Sequence, residues 1–71
     1  MGQIEEFTIK NEYITLGQFI KIIGLISTGG EVKSFLLSSD ISINSAKESR
    51  RGRKLYKGDL ININNKEYKL C

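Results

Sequence analysis

The 71-residue chain contains no histidine and no proline, and its one cysteine, Cys71, is the last residue. Without histidine the commonest general acid–base catalyst is absent. A lone thiol can neither close a disulfide within the chain nor assemble a zinc site, so a reducing compartment and no metal or other cofactor are expected. No apolar run approaches the roughly 20 residues needed to cross a bilayer. Met1 to Lys10 is acidic and alternating, without the apolar core of a secretion signal. A cytoplasmic protein with no membrane partner is the expectation. The phosphate-binding pattern GxxxxGK[ST] is missing. The carboxylates, from Glu5 and Glu6 to Glu67, are scattered, and no two sit at a spacing that calls for a shared site. This inventory does not predict an enzyme.

What remains is a small folded domain. Hydrophobic residues make up 39% of the chain and charged residues 27%, a balance that favours a globular fold over disorder. At this length one domain, spanning 1–71, must commit most of its Ile, Leu, Phe and Val to the core. Glycine and clusters of Asn, Asp and Ser provide the punctuation. Ile4 to Ile9 alternates weakly, with Phe7 and Ile9 on one face, and predicts a short strand. Thr15 and Gln18 form a T-x-x-Q capping box, with Ile14 and Phe19 at the staple positions. Leu16, Phe19, Ile20 and Ile23 then follow the spacing of a buried helical face. Gly24 can end that helix in a left-handed conformation, with Leu25 folding back onto Ile20.

A second capping box, Thr28 with Glu31, predicts a second helix with Val32, Phe35 and Leu36 inward and an end near Ser39. The short connection predicts that the two helices pack as a hairpin. The period then changes. Ile41 and Ile43 alternate with Ser42 and Asn44 as a strand, and Asn44 to Lys47 suits a turn. Arg50 to Lys57 reads as a long basic loop. Gly58-Asp59 turns into a strand over Leu60 to Ile63, Asn64-Asn65 signals a hairpin, and Tyr68 and Leu70 lie on a last strand. The fold class predicted is α+β, a helical hairpin packed on a small, mostly antiparallel sheet.

The net charge of +3 is too small to name a partner by itself. Its distribution says more. Lys47, Arg50, Arg51, Arg53, Lys54 and Lys57 fall in one stretch against a single acid, Glu48, and the chain has no arginine elsewhere. Arginine grips phosphate with a planar fork and stacks on bases, and Gly52 lets the backbone approach a ligand closely. An ordinary solvated loop can carry charge too, but the gathering of every arginine in one segment favours a polyanion site. A second candidate lies at the start of the second helix. Ser27, Thr28, Gly29 and Gly30 offer hydroxyls and backbone N–H groups, with Lys33 one turn on. Capping explains Thr28 fully, whereas paired glycines cost helix stability and would let a nucleic-acid backbone come near. Phe19 and Phe35 belong to the core, and only Tyr56 stands among the basic residues. Recognition of structured RNA by phosphate and shape is therefore favoured over readout by base stacking. The alternative is a protein-interaction module whose basic loop meets an acidic protein surface.

The order of these pieces from Tyr13 to Ile63 resembles the RNA-binding domain of the ribosomal protein S-four type, and within it the short stand-alone YaaA/YbcJ-like bacterial members. The matching segments are Ile14-Thr15-Leu16-Gly17-Gln18-Phe19-Ile20-Lys21, the turn from Gly24 through Gly29, Gly30 and Glu31 to Lys33, Ile41-Ser42-Ile43-Asn44, Glu48 to Leu55, and Gly58-Asp59-Leu60-Ile61. The resemblance implies the alpha-L motif, in which the helical hairpin and adjoining loops form an RNA-binding face. It would place Gly29, Gly30, Lys33, Arg50, Arg51, Gly52, Arg53 and Lys54 at or beside that face. It also implies structured RNA as partner, ribosomal RNA or the ribosome above all. The chain departs from the family where glycine is usual, at Ser39 or Asp40 after the second helix and at Ser45 after the strand asparagine. Many members join this domain to a pseudouridine synthase or a tRNA synthetase. No such domain accompanies these residues, so no activity carries over.

Overall fold

Apolar residues in this chain come singly, in pairs and in the one triplet Phe35-Leu36-Leu37, and the elements they build are correspondingly short. The computed structural model describes residues 4–71; Met1, Gly2 and Gln3, with which the acidic start opens, lie outside the described residues. In chain order the elements are β1 (Ile4–Phe7), β2 (Tyr13–Thr15), α1 (Leu16–Ile22), a 3₁₀ turn (Gly29–Glu31), α2 (Val32–Ser38), β3 (Ile41–Ile43), β4 (Ala46–Lys47), β5 (Lys54–Tyr56), β6 (Leu60–Ile63) and β7 (Lys66–Leu70). The class is α+β. No helix among the described residues is long and apolar enough to cross a membrane.

Five strands form one sheet in the order β1-β7-β6-β3-β4. β1 runs parallel to β7, with Ile4 opposite Glu67 and Phe7 opposite Leu70. The other pairs in this sheet are antiparallel. Ile9, expected as the end of the first strand, lies beyond β1 but is buried. Its N–H reaches the Cys71 carbonyl at 3.1 Å, while the Cys71 N–H reaches Phe7 at 2.9 Å, so the parallel ladder outlasts the strand. β2 and β5 form a separate antiparallel ribbon. The expectation of an unbroken basic loop from Arg50 to Lys57 is thereby corrected. Its second half is a strand because Leu55, fully buried, pairs opposite Ile14 and pulls the segment inward.

The core lies between the large sheet and α1. Leu16, Phe19 and Ile20 are fully buried, as their helical spacing predicts. Phe19 meets Phe7 and Tyr68 edge-on, at ring separations of 5.8 and 5.4 Å, an arrangement that matches positive ring edges to negative faces. Ile23 and Phe35 sit at the core margin, half-buried. Ile23 is already the C-cap of α1, where the chain turns away. Gly24 follows with φ +84°. Its N–H bonds the Lys21 carbonyl at 3.1 Å and the Leu25 N–H bonds Ile20 at 3.1 Å, closing the two orphan carbonyls in the manner of a Schellman motif. Leu25 thus folds back through its backbone only. Its side chain stays exposed, and Ile26 is the residue that turns into the core.

α2 begins later than its capping signal suggested. Gly29 and Gly30, poor helix formers, take a 3₁₀ turn closed by the Glu31 N–H on the Thr28 carbonyl at 3.2 Å, and regular helix starts at Val32. At its far end Ser39 is extended (φ −112°), so the glycine usual in the family is not required there. Ser45 differs. The β3–β4 turn places Asn44 at φ 52° and Ser45 at φ 72°, and the β6–β7 turn places Asn64 at φ 50° and Asn65 at φ 73°. Both are two-residue turns of the I′ kind, whose twist suits a hairpin and whose second position favours glycine. Replacing Ser45→Gly should relieve left-handed strain of ~1 kcal/mol and raise the thermal midpoint by ~4–8 °C, measured by circular dichroism melting.

Candidate nucleic-acid interface

The arginine segment is built onto the first turn of α1. A helix leaves its first backbone N–H groups without partners inside the helix. Here Leu16 N–H donates to the Arg53 carbonyl at 2.8 Å and Gly17 N–H to the Arg51 carbonyl at 2.9 Å. The capping box completes the set: Gln18 N–H donates to Thr15 Oγ1 at 3.2 Å, and Thr15 N–H to Gln18 Oε1 at 2.9 Å. Beside it the β2–β5 ribbon pairs Thr15 with Lys54, which anchors the downstream end of the segment. With the Arg51 and Arg53 carbonyls turned toward the helix, Arg50 and Arg51 stay exposed while Arg53 is half-buried.

Gly17 permits this approach. A Cβ there would lie 3.3 Å from the Arg51 carbonyl oxygen and 3.5 Å from Val32 Cγ1, so a larger residue would push the loop or α2 away. The sequence offered one sign of this, a glycine in the first turn of a helix, where it costs ~1 kcal/mol relative to alanine.

Glu48 organises the arginines from within. Its Oε2 accepts Arg50 Nε at 3.0 Å, and its Oε1 accepts Arg50 Nη2 at 3.1 Å and Arg53 Nη1 at 3.0 Å. Oε2 also accepts the backbone N–H groups of Ser49 and Arg50, each at 3.1 Å. The Glu48 side chain is only 8% exposed, whereas that of Arg50 is 75% exposed and that of Arg53 34%. The guanidinium of Arg50 foremost, with the backbone amides and Arg53 in support, holds the Glu48 carboxyl down at about 2 against its burial. In sequence terms Glu48 was a lone acid offsetting a basic run; in the fold it is the pivot of that run. Arg50 O accepts the Arg53 N–H at 3.2 Å, closing a turn with Arg51 and Gly52 at its tip. Arg51 pairs with no carboxylate among the described residues. Gly52 faces open space and has no left-handed φ, so the fold itself does not demand a glycine there.

One concavity gathers most of the expected residues. Arg50, Arg51, Gly52, Arg53 and Lys54 line one side, and Lys33 from α2 lines the other. Leu36, Leu37, which is three-quarters exposed on α2, and Tyr56 form its apolar part. Gly29 and Gly30 do not line it. A Cβ on Gly29 would meet nothing, and one on Gly30 only Thr28 Oγ1 at 4.0 Å, so neither is held small by its neighbours. The hydroxyls and N–H groups of Ser27 and Thr28 all point to Glu31 Oε1 at 2.9–3.3 Å, as capping predicted for Thr28. The Ser27 hydroxyl, followed by these other donors, lowers the Glu31 pKa. A carboxylate therefore occupies that corner.

On the outer face of the ribbon Tyr13 lies opposite Tyr56, with ring centroids 5.8 Å apart and planes inclined at 48°. The Lys54 ammonium stands over the Tyr13 ring, 4.9 Å from its centroid. Asp59, at the edge of the concavity, is occupied by structure: Oδ2 accepts Tyr56 N–H at 2.8 Å and Oδ1 accepts Asn44 Nδ2 at 3.1 Å.

The chain belongs to the S4 domain family, whose sequence profile matches residues 7–71. The match takes in both helices, the arginine turn and the strands that close the sheet. Among relatives, the chain is 46% identical over 56 residues to the "Probable ribosome maturation protein RlbA" of Bacillus subtilis (strain 168), an alignment covering 79% of each chain.

Two expected outcomes follow from this geometry. Gly17→Val should strip hydrogen-exchange protection from the Leu16 and Gly17-position amides and destabilise the fold by ~1–3 kcal/mol through overpacking. Because the folded Glu48 pKa is depressed, its contribution is present above the ordinary value of 4.5 and is lost as pH falls toward about 2. Chemical denaturation across that window should show Glu48→Gln with a flatter acid limb than the parent and a loss at neutral pH on the order of 1–3 kcal/mol.

Proposed function

We propose that this chain is one RNA-binding domain that recognises structured RNA, ribosomal RNA or a ribosomal particle, by phosphate and shape contacts. The observation that carries the reading is the arginine turn, fixed at its backbone by α1 and at the Arg50 and Arg53 side chains by Glu48, opening onto a concavity shared with Lys33 and Lys54. A guanidinium fork held in place loses less freedom when it meets a phosphate. Arg51, at the tip, is the free fork; Arg50 keeps an exposed flank while paired. In this reading the helical hairpin and the arginine turn form the two walls of the alpha-L motif. Gly52 keeps the tip low, and Gly29 and Gly30 form an unobstructed margin along which the RNA backbone passes. Membership in the S4 domain family supports RNA as the ligand, and the ribosome maturation named for the Bacillus relative supports a ribosomal setting in the cytoplasm. Binding and positioning account for every feature of the site without a catalytic step.

Phosphate contacts release counterions, so affinity for a blunt RNA duplex should fall steeply with salt. Each lost contact lowers the log–log slope by about 0.7–0.9. Arg51→Ala should show that decrement, and the Arg50/Arg51/Arg53 triple alanine variant a larger one. An unchanged slope in the triple variant would remove the site assignment. Protein purified free of nucleic acid that fails to retard ribosomal RNA fragments at low salt would instead favour an acidic protein surface as partner.

A further inference from the structure

The β2–β5 ribbon alternates strictly. Ile14 and Leu55 face the core, while Tyr13 and Tyr56 face outward, 38% and 44% exposed. A cross-strand tyrosine pair can simply stabilise its ribbon, by ~0.2–1 kcal/mol. Three features go beyond that role. The rings form an open wedge rather than a closed stack, and both remain more than a third exposed. Tyr56 also lines the concavity that contains Arg51, Lys33 and Lys54, so aromatic surface and phosphate-binding surface are continuous. Lys54 links the two, since it lines that concavity and its ammonium stands over Tyr13. A nucleotide has the matching chemistry, an anionic phosphate joined to a flat base. Bases inside a duplex are stacked on one another and cannot present a face, so only an unpaired one can reach the wedge.

We propose that Tyr13 and Tyr56 form a stacking platform for a single unpaired base, at a bulge or strand end, whose neighbouring phosphates lie on Lys54 and the arginine turn. The inference rests on the RNA-binding reading and adds to it a preference for a junction between duplex and unpaired RNA. Stacking on an aromatic ring tolerates any base, so the platform selects unpaired character rather than sequence. Lys54 stays between ring and phosphate and sets the register of one against the other.

The chain has no tryptophan and three tyrosines, of which Tyr68 is buried away from a ligand, so quenching of tyrosine emission by a stacked base falls on Tyr13 and Tyr56. The test compares a blunt RNA duplex with the same duplex carrying a one-nucleotide bulge, at one salt concentration. The bulged duplex should bind roughly tenfold more tightly and quench tyrosine emission more strongly. Tyr13→Leu and Tyr56→Leu should weaken binding of the bulged duplex more than that of the blunt one and so abolish that difference, and Tyr13→Phe and Tyr56→Phe should keep it. Equal affinity for the two duplexes in the parent protein overturns the platform and leaves the phosphate site standing. Equal loss on both duplexes in the leucine variants, or loss of the difference in the phenylalanine variants, also overturns stacking. Failure of the parent to bind either RNA overturns the RNA-binding reading and the platform with it.

Discussion

Two amide groups at the start of α1, those of Leu16 and Gly17, have no partner within their own helix, and the chain answers them with the carbonyls of Arg53 and Arg51. Much of the molecule is arranged around that pairing. It sets the distance between the arginine turn and α1, which leaves a Cβ at position 17 a tight 3.3 Å from the Arg51 carbonyl. It joins the end of β2 to the start of β5, so the ribbon and the turn form one piece. A buried or partly buried amide left unpaired costs about as much as a lost hydrogen bond, which gives the loop a reason to be ordered that is independent of any ligand.

Like charges crowded into one turn repel, and Glu48 is the device that makes the crowding tolerable. By bridging Arg50 and Arg53 it converts two repelling guanidinium groups into partners of a common acceptor, while Arg51 projects from the tip. The pairing is sheltered on the acid's side and open on the side of Arg50. Arg50 is thereby held in one orientation while most of its side chain stays open to solvent. The segment therefore has both fixed and adaptable cations, a combination that charge counting along the chain does not distinguish.

How legible these features were depended on how local their causes are. The capping box at Thr15 and Gln18, the stop at Gly24, the buried stripe of Leu16, Phe19 and Ile20 and the turn at Asn64-Asn65 all involve residues within a few positions of one another, and spacing revealed them. The pairing of Tyr13 with Tyr56 joins distant segments through three-residue strands, too short for alternation to announce, so β5 read as loop. Glu48 looked like a dilution of positive charge because its role is defined by where Arg50 and Arg53 fold back. The start of the second helix shows the opposite case. The T-x-x-E box forms at Thr28, but it opens a 3₁₀ turn ahead of α2, and its carboxylate also takes the hydroxyl and amide of Ser27.

The parallel pairing of β1 with β7 has a consequence for how the molecule assembles. β7 is the strand nearest the chain's end, yet it lies inside the sheet, between β1 and β6. Its Leu70 is fully buried, and the Leu70 carbonyl accepts the Gly58 N–H at 2.7 Å while its amide donates to Asp59 at 3.1 Å. Asp59 in turn holds the Tyr56 amide. The segment nearest the end of the chain is thus the keystone of the sheet and braces the exit of the arginine turn. Contacts so distant in sequence slow folding and make it cooperative. β7 follows the basic turn in the chain, so the exit of that turn gains its hydrogen bond from Gly58 to Leu70 only once β7 has paired.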